Sequence, residues 1–124
     1  MTGIARYGAV SLDCDDPGRL GEFYAALTGG SVVFANDAFV AVQADSGWIT
    51  AQRVTDYRRP TWPDDAVPKQ VHLEFAVSDL ETAQAASVAI GAEVAAQQPS
   101  PDQWRVLLDP AGHPFCLTTL IPTE

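Results

Sequence analysis

Residues 10–27, VSLDCDDPGRLGEFYAAL, and residues 73–90, LEFAVSDLETAQAASVAI, carry the same structural instruction. Each opens as an alternating strand, turns at an acidic corner and continues with apolar residues at helical spacing. Asp16 and Asp79 fall at equivalent points, half a chain length apart in a chain of 124 residues. The chain therefore reads as a duplicated unit. At matching places on the two strands stand His72 in the second copy and Ala9 in the first, so the copies share a fold pattern but not a chemistry.

In the first copy Asp15-Asp16-Pro17 supplies an N-cap and a first-turn proline. Leu20, Phe23, Tyr24 and Leu27 follow on one helical face, and Gly29-Gly30 ends the helix. Segments 31–34, 38–43 and 48–54 are short and β-branched or aromatic, broken by Asn36-Asp37 and Asp45-Ser46-Gly47, and predict an antiparallel meander. In the second copy Ser78-Asp79-Leu80-Glu81 predicts a capping box with Ser78 as the cap. Leu80, Ala83, Ala86 and Ile90 predict a thin apolar face, and Gly91 a stop. Strands are expected at 93–96, 104–108 and 114–120, with the turn Asp109-Pro-Ala-Gly-His113 between the last two. His113 is expected at a left-handed position of that turn.

These elements give an α+β chain of tandem βαβββ modules forming a curled, mixed or antiparallel sheet, a half-barrel, with helices on the outer face. One domain spans 1–124, with module 1 at about 4–57, a connector at 58–69 and module 2 at about 70–121. A ferredoxin-like βαββαβ arrangement is the alternative fold. With one helix per module, one sheet face is covered and the other is left open. Alternation puts Val10, Leu12 and Cys14, and Leu73, Phe75 and Val77, beneath the helices. His72, Glu74 and Ala76, and Tyr7, Ala9, Ser11 and Asp13, then share the open faces. Trp104 has the parity of a core residue.

An apolar fraction of 47% and a charged fraction of 19% fit a globular chain, and no apolar run approaches the ~20 residues of a membrane span. Neither a membrane partner nor a secretory signal is expected, and the protein is placed in the cytoplasm. Seven basic against sixteen acidic residues give a net charge of −9, which repels polyphosphate and argues against nucleic acid. Arg58 and Arg59 are either a small anion site or two solvated side chains. Cys14 and Cys116 are expected on different sheet faces and unbridged.

The duplicated pattern, the two helix corners and the run Asp109-Pro110-Ala111-Gly112-His113-Pro114-Phe115-Cys116-Leu117 resemble the glyoxalase/bleomycin-resistance group, the vicinal-oxygen-chelate superfamily, from about Ile4 to Leu120. The resemblance implies a cleft in which catalytic members hold a divalent metal, with His, Glu or Gln ligands from the first and last strand of each half. Carried over, the four positions are Ala9, Gln52, His72 and Cys116. Ala9 offers no donor and Gln52 a weak one, while Cys116 stands where catalytic relatives carry Glu. A metal held by His72, Gln52 and Cys116 (Zn, Ni, Fe or Mn) is one outcome; no cofactor at all is the one favoured here.

His72 with Glu74 is the candidate catalytic pair, Glu74 as general base or as the group that orients the imidazole. The plainer alternative is a neutral histidine and a carboxylate satisfied by neighbours or water. Tyr7, Trp48, Gln52, Trp62 and Cys116 are the candidate ligand contacts, the rings offering stacking area to a planar or hydrophobic small molecule; they can equally be packing residues. Two functions are thus expected as alternatives: a metal-free small-molecule-binding protein acting in sequestration, resistance or metal-free chemistry, or an atypical metal-dependent lyase, isomerase or dioxygenase. By the same resemblance the chain is expected to form a homodimer.

Overall fold

Both helices begin where the sequence places an aspartate. The computed structural model describes residues 3–124, and the chain divides after Tyr57 into two compact units. Each follows the order βαβββ: β1 (Ala9–Cys14), α1 (Pro17–Thr28), β2 (Ser31–Ala35), β3 (Phe39–Ala44) and β4 (Gly47–Arg53), then β5 (Leu73–Ala76), α2 (Leu80–Ala89), β6 (Glu93–Val94), β7 (Trp104–Leu108) and β8 (Pro114–Thr118). Three strands follow each helix, so the ferredoxin-like alternative is excluded.

In the first unit the strand order is β1-β4-β3-β2. The meander β2-β3-β4 is antiparallel as expected, and β1 joins it parallel to β4. Asp16 caps α1 by accepting from the backbone N–H of Arg19, Pro17 occupies the first turn, and Gly29 ends the helix in the left-handed conformation. The helix lays Leu20, Phe23 and Tyr24 against Leu12, Cys14, Val40, Val42 and Ala51, all nearly sealed from solvent. A side chain at Gly21 would run into Val40, so this position needs glycine for the helix to sit down on β3.

In the second unit the order is β5-β8-β7-β6, again with the first strand parallel to the last. Phe75 and Phe115 meet edge to face beneath the helix, ring centres 5.9 Å apart. Three details of α2 depart from the sequence reading. The cap is Asp79, which accepts from Thr82 N–H, and not Ser78. Strand pairing continues one residue past β5, Val77 N–H donating to Thr118 O, which delays the helix start. Glu81 then reaches Arg105 at 2.8 Å instead of closing a capping box. Third, Ser87 is buried while Ala86 and Ile90 are exposed. Ser87 tolerates burial because its hydroxyl donates to Ala83 O.

Residues 58–69, expected as a connector, fold with the second unit. Arg59 donates to Pro110 O. Its guanidinium lies against Gly112, where any Cβ would come within 2.9 Å of it. Among the described residues no helix is long and apolar enough to cross a membrane.

Candidate functional site

The register of the second sheet decides which side chains meet. Glu74 pairs with Cys116 across β5 and β8, and Val106 with Cys116 across β7 and β8. These side chains therefore project from the face opposite α2, along with His72 just before β5. Arg105, one step out of phase, reaches Glu81 and Gln84 of α2, which confirms the parity.

The β7–β8 turn holds that register. Asp109, 2% exposed, accepts through Oδ1 from the N–H groups of Ala111 and His113. Gly112, and not His113, takes the left-handed backbone (φ 90°), and His113 is buried. The sequence reading placed the unusual backbone one residue too late.

On the open face, Ala95, Val106 and Cys116 form a small buried cluster, and the indoles of Trp62 and Trp104 pack against it. Trp104 is thus a member of this face and not of the core beneath the helix. Both parities of the run Trp104–Leu108 hold apolar residues, Leu107 on one and Trp104, Val106 and Leu108 on the other, so sequence alternation could not assign it.

His72 Nε2 lies 2.9 Å from Cys116 Sγ, with the shared proton on ring or sulfur according to tautomer. Burial first, then the Glu74 carboxylate, pushes the Cys116 thiol up to about 11. Burial also holds His72 below its ordinary value, with Lys69 acting in the same direction and Glu74 against it. His72 is open to solvent as a residue, while its ring nitrogen lies against the sulfur of Cys116, a residue only 1% exposed. At neutral pH the pair is a neutral imidazole beside a neutral thiol. It lacks the thiolate that covalent chemistry at sulfur requires.

The donors do not fit the metal that the family resemblance implies. Among the described residues no group of three or more His, Cys, Asp and Glu side chains converges. Two donors across a tetrahedral zinc stand about 3.5 Å apart, wider than the His72–Cys116 contact. A thiol whose proton is held up to about 11 must also surrender it before it can ligate. Both cysteines are free and buried.

The first unit presents different chemistry on its open face. Ala9 pairs with Trp48, Ser11 with Thr50 and Asp13 with Gln52 across β1 and β4, so these six share one parity. Trp48 is 38% exposed and Tyr7 70%. The sequence-predicted residues thus separate: His72, Glu74, Cys116 and Trp62 belong to the second unit, and Tyr7, Trp48 and Gln52 to the first.

A family model described as a glyoxalase-like domain matches residues 9–118. Among solved structures, the fosfomycin resistance protein FosX from Mesorhizobium loti is 15% identical with a TM-score of 0.70, over 94% of this chain and 93% of that one. A mutant of FosX from Listeria monocytogenes, solved with Mn(II) and 1S,2S-dihydroxypropylphosphonic acid, is 13% identical with a TM-score of 0.70, over 95% and 91%. A glyoxalase/bleomycin resistance protein from Albidiferax ferrireducens T118 is 20% identical with a TM-score of 0.62, over 90% and 96%. At such identities the likeness is one of fold. No curated protein matches the sequence.

Proposed function

Because this chain belongs to the glyoxalase-like domain family, we propose that it binds a planar, largely apolar small molecule on the open face of its second unit, without a metal. The observation that carries the reading is the neutral His72–Cys116 contact at 2.9 Å beside two indoles. Trp62 and Trp104 supply stacking area, Cys116 and Val106 the floor, and His72 a single polar contact that can donate or accept. Among the described residues no buried side-chain nitrogen or oxygen lacks a partner, so the polar contacts left for a ligand are at the solvent-open groups. His72 and Glu74 are exposed groups on this face.

Titration with quinoline, followed by NMR of the His72 ring and of the Trp62 and Trp104 indole N–H groups, tests the reading. Saturable shifts at these three side chains are expected from metal-free protein. Shifts confined to other residues, or none at millimolar quinoline, contradict it.

A metal-dependent lyase, isomerase or dioxygenase is the second reading, favoured by the Mn(II) that the Listeria monocytogenes FosX mutant holds. Elemental analysis of protein purified without chelator decides between them. Stoichiometric Zn, Ni, Fe or Mn that vanishes in His72→Ala establishes the second and removes the first. The proposal further takes the protein to be cytoplasmic and homodimeric, which fractionation and light scattering check.

A further inference from the structure

The open face of the second unit carries a charge as well as rings. Glu74 is exposed and stands in register with Cys116, one of the three residues of the cluster against which Trp62 and Trp104 pack. Among the described residues the ion pair present is Arg105–Glu81, on the helix side, and none involves Glu74. An unpaired carboxylate on the same sheet face as two indoles and a neutral imidazole is a set of groups that a cation satisfies. The ring faces attract positive charge through their quadrupoles, and the carboxylate supplies the counter-charge.

The electrostatics of Cys116 and His72 bear on this placement. Glu74 acts on both the Cys116 thiol and the His72 ring, whereas Lys69 acts on His72 alone. At the Cys116 thiol negative charge therefore acts without a matching positive one, while at His72 the Lys69 charge outweighs it. The net charge of −9 adds a long-range field of the same sign, which concentrates cations near the surface.

We propose that the ligand of this face is a planar aromatic cation, such as a quaternary or protonated heteroaromatic amine, held by Glu74 and stacked on Trp62. The assignment rests on the binding reading above and adds the sign of the ligand's charge. Neutral rings of the same shape are bound more weakly, and aromatic carboxylates or phosphates are rejected.

Calorimetric titration of the intact chain with N-methylquinolinium and with quinoline at pH 7.5 tests it. Wild type is expected to bind the cation about tenfold more tightly than the neutral ring. Glu74→Gln should erase that preference, bringing the affinities for the cation and the neutral ring to within about twofold of each other. Glu22→Gln, an exposed substitution on α1 with the same change in net charge, should keep it. Equal affinities in wild type, or a preference that survives Glu74→Gln, overturn the charge assignment while the site itself stands. Absence of binding by either ring removes both the site and the assignment.

Discussion

The two units share a strand order and a helix position, yet their open faces hold different chemistry. Beneath α1 lie Leu12, Cys14, Val40, Val42 and Ala51, and beneath α2 lie Leu107, Phe115 and Leu117, so the covered faces are alike in kind. On the open faces, Ala9, Ser11 and Asp13 of β1 answer to His72, Glu74 and Ala76 around β5. Burial under a helix constrains one face of each strand and leaves the other free to diverge. The repeat therefore builds the scaffold, and the two units differ on the faces it leaves open.

The covered faces differ in quality, and the largest expected effect follows from that. α1 contributes Phe23 at 2% exposure, whereas α2 contributes Leu80 at 8% and a buried serine. Phe23→Ala should cost about 3–5 kcal/mol in denaturant unfolding and Leu80→Ala about 2. Equal losses would mean that the two helices are equally well seated.

The caps are expected to behave alike. Asp16→Ala and Asp79→Ala should each cost about 1 kcal/mol, and Ser78→Ala almost nothing. A large effect at Ser78 would restore the capping box that the sequence announces.

Acid should distinguish the open faces. His72 is held below its ordinary value of 6.5 in the folded chain, so its contribution to stability is present above 6.5 and lost as pH falls through the lowered value. The melting temperature of wild type relative to His72→Gln should fall on acidification below about 6.5, with no such trend for Ala9→Ser. At the other extreme, Cys116 is raised from 9.0 to about 11, so its contribution is present below 9.0 and lost as pH climbs towards 11. Cys116→Ala should lack that alkaline decline. The smallest effect is expected at Glu81, 78% exposed. Removing its pair with Arg105 by Glu81→Ala should change stability by about 0.5 kcal/mol or less.

Much of this architecture was legible because burial writes a period into the sequence. Leu20, Phe23 and Tyr24 contrast sharply with their neighbours, and the first helix was read correctly from cap to stop. The second helix is alanine-rich, so the buried position, Ser87, had no hydrophobic contrast to announce it, and its hydroxyl is satisfied only by the helix backbone. Ser78 and Asp79 are both good capping residues, and the choice between them was made by a hydrogen bond from Val77 to Thr118, far away in sequence. The same holds for the site. Resemblance pointed to both His72 and Cys116, but that they meet each other at 2.9 Å depends on the parallel pairing of β5 with β8, which no local pattern encodes.

The comparison of the two open faces is tested most directly by quinoline affinity in Trp62→Ala and Trp48→Ala, measured by calorimetry on variants shown to be folded by circular dichroism. Loss of about tenfold or more at Trp62, with Trp48 within twofold of wild type, is the result expected from a ligand seated on the second unit. A larger loss at Trp48 would contradict that account and move the site to the first unit.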